Sequence, residues 1–233
     1  MRKNFIFTLT LTALIILSSC KLVDTPQNSN TQPNDSIPDN VTSATILRYR
    51  PNELKVYEGT RLDPAIGPRD NSIKGIQNVD ISGYSLKIDG LVNVTKEFTY
   101  DNIVAMPPVS RVYTVFCVEG WDSTILWKGV LVKDLLQSAE VQSEAKTVIF
   151  HAVDGYTTSL QLSEILDKNL MIAYNANGLP LPAALGFPFI FVAQDKWGYK
   201  WARWINRIEL SSNTQYKGYW EDRGYGIDGS IKK

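Results

Sequence analysis

Short runs of β-branched and aromatic residues, each closed by a turn signal, constrain the fold of this chain more than anything else in its sequence. Tyr84 to Asp89 sets Leu86 and Ile88 against Ser85 and Lys87, the period of two that sends alternate side chains to opposite faces of a strand, and Gly90 closes it. Arg111 to Cys117 gathers Val112, Tyr113, Thr114, Val115 and Phe116 into one run, and Thr147 to Val153 repeats the pattern up to the turn at Asp154-Gly155. Phe189 to Ala193 and Ala202 to Leu210 complete the set. Helical patterns are fewer. Thr99 is placed to cap a helix through Ala105 that Pro107-Pro108 stops, Val130 to Ala139 is amphipathic, and Leu160 to Asp167 fits a third. Many strands, few short helices and long connections predict an α+β domain with mixed sheets.

The N-terminus speaks to the compartment. Arg2 and Lys3 precede an apolar run from Phe5 to Leu17, the length of a signal-peptide core and too short to span a bilayer. The run ends in Leu17-Ser18-Ser19-Cys20, which resembles the bacterial lipobox. That resemblance implies a lipoprotein signal over residues 1–20, lipidation of Cys20, and an extracytoplasmic protein anchored to a membrane. Residues 21–43 are Asn, Ser, Thr, Gln, Asp and Pro with few large apolar side chains, so they read as a flexible tether. From residue 44 to 233 the composition is globular, and one domain is expected. The formal net charge is zero, which argues against a non-specific nucleic-acid binder.

The chain has two cysteines, and the lipobox takes Cys20. Cys117 is left without a disulfide partner, at the end of a strand and the start of a Gly-containing loop. Such a residue is a reactive thiol, a metal ligand, or a small buried hydrophobe. A zinc site fits poorly, because one His and one free Cys cannot assemble a tetrahedral set. A thiol–imidazole pair with His151 has no supporting spacing.

Five segments, in order, resemble the sulfite-oxidase-like molybdopterin oxidoreductases. FCVEGWDSTILWKGVLVKDLL, residues 116–136, resembles the metal-ligand loop, and SGYSLKIDGLV, residues 82–92, the opening strand. LMIAYNANGLPLPAALGFP, DKWGYKWARWINRIEL and GYWEDRGYG resemble three later elements. The resemblance implies a sulfite-oxidase-type molybdopterin-binding fold and a molybdenum-molybdopterin cofactor with Cys117 as metal ligand. It also implies a phosphate loop at Gly198, Tyr199 and Lys200, a second basic position at Arg203, and Tyr225 beside the substrate. Arg69 and Asn71 resemble an Arg-Asn element near the metal. On the residues alone, Arg69, Lys200 and Arg203 read equally as solvated charges, and Tyr225 as packing.

The implied activity is transfer of an oxygen atom to or from a small oxyanion or sulfoxide. The sequence has no C-x-x-C-H haem motif, so electrons would pass through a separate partner, a cytochrome or a quinol system. Two departures stand against this pattern. Leu185 and Ile190 occupy positions where relatives carry a polar residue and an Arg, and Arg2-Lys3 does not form a twin-arginine export signal. They motivate the alternative, a cofactor-free surface binding or scaffold lipoprotein on the same fold.

Overall fold

The computed structural model of the chain describes residues 48–231. The expected signal over 1–20, Cys20, the tether over 21–43 and the first residues of the expected domain lie outside that range. After a 3-10 turn at Arg50–Asn52 the chain forms a hairpin, β1 (Val56–Tyr57) and β2 (Thr60–Arg61). Its two-residue turn, Glu58-Gly59, has positive φ at both positions, the turn geometry that matches strand twist.

Two five-stranded sheets follow. In the first, β5 (Val109–Phe116), β6 (Asp122–Leu131) and β9 (Met171–Ala176) pair in antiparallel order, and β10 (Leu179–Pro180) and β11 (Ile190–Val192) both pair with β9. The second runs β4 (Lys96–Thr99), β3 (Ser85–Gly90), β12 (Ile205–Ser211), β7 (Thr147–Ala152), β8 (Thr157–Gln161). Its β12–β3 pair is parallel and the others antiparallel, so the sheet is mixed. Apolar faces of the two sheets meet: Phe150 of β7 stacks on Phe191 of β11 with ring centroids 3.8 Å apart.

The helices α1 (Tyr100–Val104), α2 (Val132–Gln137) and α3 (Leu162–Asp167) are short. Thr99 caps α1 as expected: its hydroxyl accepts from the Asn102 N–H at 3.2 Å, and the Asn102 side chain accepts from the Thr99 N–H at 3.1 Å. The other two start later than the amphipathic patterns predict. Val130 and Leu131 belong to β6, where they pair with Ile172 and Met171, and Leu160 belongs to β8. Strands β6 and β9 escape sequence reading because both of their faces are largely buried, which removes the alternation that marks a half-exposed strand. Gly129 sits at a register shift in β6, where a Cβ would overlap the carbonyl oxygen of Ile172.

The polar face of the second sheet carries a charged ladder. Arg207 reaches Asp89 at 2.8 Å and Glu209 at 2.7 Å, and His151 Nε2 lies 2.9 Å from Glu209. Burial holds the His151 pKa below its ordinary value, and the opposing pulls of Glu209 and Arg207 leave it there. The unfolded chain therefore binds a proton that the folded chain resists, so stability falls as pH drops through the ordinary histidine pKa of about 6.5. Urea unfolding at neutral and mildly acidic pH should show this loss in the native chain and a smaller loss in His151→Gln. An equal loss in both would assign the pH dependence elsewhere.

Candidate active site

Strand β5 ends at Phe116, and Cys117 is the first residue beyond it. The chain turns back at once: the Gly120 N–H donates to the Cys117 carbonyl at 3.1 Å, and the Cys117 N–H donates to the Trp121 carbonyl at 2.8 Å. Gly120 takes φ +88°, a conformation that suits glycine. From the other side Gly198 presses on the same strand end; a Cβ there would stand 3.3 Å from the Phe116 carbonyl oxygen. The residue is thus fixed by backbone on two sides and is 8% exposed.

Two side chains reach the sulfur, and two more hold the second of them. Asn71 Nδ2 is 3.6 Å from Cys117 Sγ and Glu119 Oε2 is 3.7 Å away. Glu119 accepts from Asn71 Nδ2 at 3.2 Å and from Trp121 Nε1 at 3.1 Å, and Arg69 lies 3.5 Å from its other oxygen. Trp121 and Asn71 hold the Glu119 carboxyl below its ordinary pKa, so it carries charge beside the sulfur. Burial pushes the thiol up; the Glu119 backbone lowers it and the Glu119 charge raises it. A positive centre at the sulfur would reverse that balance and favour the thiolate. Glu119 has no expected role in the sequence; the signal for it was an acid two residues after the lone cysteine, inside a Gly-containing turn.

Sγ opens on a cavity of about 540 Å³, within the range of small-molecule and cofactor sites. Arg69, Asn71, Gly198, Tyr199, Arg203 and Tyr225, spread over more than 150 positions of the sequence, line it with Cys117. Tyr225 stands at the mouth, 37% exposed, with Tyr199 edge-on at 5.1 Å between centroids. Leu185 and Ile190, the apolar replacements, wall the cavity without filling it.

Lys200 is the one residue of the expected phosphate loop that does not line the cavity. It is fully buried, outside the cavity lining, with Nζ 2.5 Å from Glu221 Oε1. Residues 198–200 form one 3-10 turn, and the Lys200 and Trp201 N–H groups donate inside it, to the carbonyls of Trp197 and Gly198. The cation that the strand entry presents to the cavity is Arg203. Its Nη1 donates to the Ala184 carbonyl at 2.8 Å, its Nη2 donates to Asp70 at 2.8 Å, and the guanidinium lies 4.4 Å over the Trp204 ring.

Among the described residues no group of three or more His, Cys, Asp and Glu side chains is gathered to hold a metal ion. One sulfur cannot complete a coordination sphere. A metal at Cys117 needs its remaining ligands from a cofactor, and the cavity has the room for one. On donor chemistry and volume the site fits a metal carried by an organic dithiolene.

Comparison with known proteins agrees with this geometry. Residues 73–220 match the oxidoreductase molybdopterin binding domain. A putative protein-methionine-sulfoxide reductase subunit, YedZ1, of Azospira oryzae is 33% identical over 150 residues, covering 64% of this chain and 57% of that protein. The uncharacterized oxidoreductase YuiH of Bacillus subtilis is 32% identical over 151 residues, 64% of this chain and 76% of that one. The protein-methionine-sulfoxide reductase catalytic subunit MsrP of Ralstonia nicotianae is 26% identical, over 54% of this chain and 43% of its own. The chain thus spans little more than half of the Azospira relative and less than half of the Ralstonia one. Among solved structures, the sulfane dehydrogenase SoxCD of Paracoccus pantotrophus superposes with a TM-score of 0.58 at 18% identity, over 84% of this chain and 57% of that one, a likeness of fold.

Proposed function

The chain belongs to the oxidoreductase molybdopterin binding domain family, and on that premise we propose that it reduces a sulfoxide to a thioether, with Cys117 as the protein ligand to the metal. It is an oxidoreductase enzyme of the sulfite-oxidase-type fold, and its cofactor is molybdopterin. The observation that carries the reading is one buried sulfur, walled by Asn71 and Glu119, at the head of a cofactor-sized cavity, with no cluster of metal-ligating side chains among the described residues. The sulfoxide comes from the names of two relatives, a putative protein-methionine-sulfoxide reductase subunit and a protein-methionine-sulfoxide reductase catalytic subunit.

When bound, the group supplies a molybdenum centre that exchanges an oxygen atom and two electrons with the substrate. The overall reaction takes the sulfoxide, two electrons and two protons to the thioether and water. The chain's own residues position it. Cys117 anchors the metal end, and Arg203, already fixed against Ala184 and Trp204, meets the anionic tail as a directional cation. Gly198 and Tyr199 supply wall between these ends. The Tyr225 phenol, at the mouth, donates to the sulfoxide oxygen. Arg69, its side chain 72% exposed, adds positive charge beside Glu119. The rings of Tyr219 and Trp220 offer the apolar, polarisable contact that a thioether sulfur favours.

Electrons arrive from a separate cytochrome or quinol partner, and the protein works outside the cytoplasm, tethered through Cys20. Among the described residues no helix is long and apolar enough to cross a membrane.

Metal analysis and turnover of protein matured in a molybdopterin-producing host test the reading together. Near-stoichiometric molybdenum and reduction of methionine sulfoxide with an artificial electron donor are expected. Metal without sulfoxide turnover removes the substrate, and absence of metal returns the chain to the cofactor-free alternative.

A further inference from the structure

Arg203 faces the cavity with one of its bonds made to a carboxylate of the opposite wall. Two of the contacts that hold it are independent of that carboxylate: Nη1 on the Ala184 carbonyl and the guanidinium face on Trp204. The third, Nη2 to Asp70 Oδ1 at 2.8 Å, joins residues 133 positions apart. Asp70 is not bound to Arg203 alone. Its Oδ1 also accepts from the Ser72 N–H at 3.1 Å and its Oδ2 from the Ser72 hydroxyl at 2.6 Å. If the carboxylate left Arg203 it would keep both Ser72 partners, and Arg203 would keep its place.

We propose that Asp70 is a displaceable internal anion, occupying the guanidinium that a phosphate group of the cofactor must reach, and that its release frees the segment bearing Arg69 and Asn71. The inference rests on the molybdopterin reading above and adds to it a coupling between the two ends of the cavity. Asn71, the next residue, holds its amide 3.6 Å from Cys117 Sγ. Arg69, on the other side, meets Glu119. One residue therefore ties the anion end of the cavity to the sulfur end.

The electrostatics give the coupling its sign. A phosphate brought to Arg203 meets the like charge of Asp70 at hydrogen-bond range, and the pair is mostly shielded from solvent, so salt screens the repulsion weakly. Phosphate and carboxylate compete for one guanidinium. With the carboxylate in place, the 69–71 segment is drawn across the cavity toward Arg203 and Cys117 is covered. With phosphate in place, the segment is released and the sulfur becomes accessible. Lys200 cannot serve as a substitute cation, because it is buried against Glu221.

The experiment uses the full chain purified from a host that makes no molybdopterin, with inorganic phosphate as probe. Calorimetric titration should show Asp70→Asn binding phosphate roughly tenfold more tightly than the native chain, a factor typical of coupled sites, and Arg203→Met binding it detectably less well than either. A second measurement needs no variant: phosphate should accelerate alkylation of Cys117 by iodoacetamide in the native chain. In Asp70→Asn alkylation should already be fast and indifferent to phosphate. Equal phosphate affinity in native and Asp70→Asn chains overturns the proposal, as does a Cys117 alkylation rate that phosphate leaves unchanged. If Asp70→Asn behaves as expected while native-host protein holds no molybdenum, the enzyme reading fails and the latch stands. If the metal is present and Asp70→Asn changes neither readout, the latch fails alone.

Discussion

Replacing Cys117 by Ser should strip the protein of molybdenum and lower sulfoxide turnover by roughly a hundredfold or more, since residues that merely support a metal ligand already account for 10–100-fold. The fold should survive. The substitution conserves shape, the side chain belongs to a turn whose two hydrogen bonds are made by backbone, and a serine hydroxyl at this place can donate to Glu119 as the thiol does. The thermal midpoint should therefore move little while metal content collapses. Metal analysis, turnover and a melting curve on one preparation separate these effects. A Cys117→Ser protein that retains full molybdenum and activity would move the metal away from this sulfur altogether.

The second large effect concerns stability. Lys200 and Glu221 are both fully buried, 2.5 Å apart, and Thr158 donates to the same Glu221 oxygen at 2.7 Å. Burial lowers the Lys200 pKa, an effect the neighbouring Glu221 charge opposes. Lys200→Met leaves a buried carboxylate without its cation, and breaking such a pair costs about 3–5 kcal/mol. For a chain of this size the thermal midpoint should fall on the order of 10 °C. Lys200→Met combined with Glu221→Leu should recover much of the loss, because two apolar groups of similar volume replace the pair without stranding a charge. Failure of the single variant to destabilise would mean that the pair adds nothing net to stability. The same pair ties down the segment that brings Tyr219, Trp220 and Tyr225 to the cavity, so its loss should also loosen the mouth.

These two residues show why part of the site could be read in advance and part could not. Cys117 was legible because its significance is a matter of counting and local context: one spare cysteine, at a strand end, before a glycine. Gly198 entered only through the family resemblance, and its close approach to Phe116, which tolerates no larger residue without adjustment, is a tertiary fact. Lys200 and Arg203 look alike in sequence, two cations three positions apart. They part company because one turns into the protein toward Glu221 and the other faces the cavity. Glu119 acquires its role from Asn71 and Trp121, and the first of these lies 48 positions away.

The fold divides along the same line. Strands β3, β5, β7 and β12 and the Thr99 cap follow from side-chain alternation, β-branching and hydrogen bonds between near neighbours, all of which the chain carries locally. Strands β6 and β9, the parallel pairing of β12 with β3, the Asp70–Arg203 contact and the Lys200–Glu221 pair needed the assembled structure. A residue's own chemistry states what it can donate, accept or bury. Which of those capacities is used depends on the group that packing brings opposite it, and that group is most often distant in the chain.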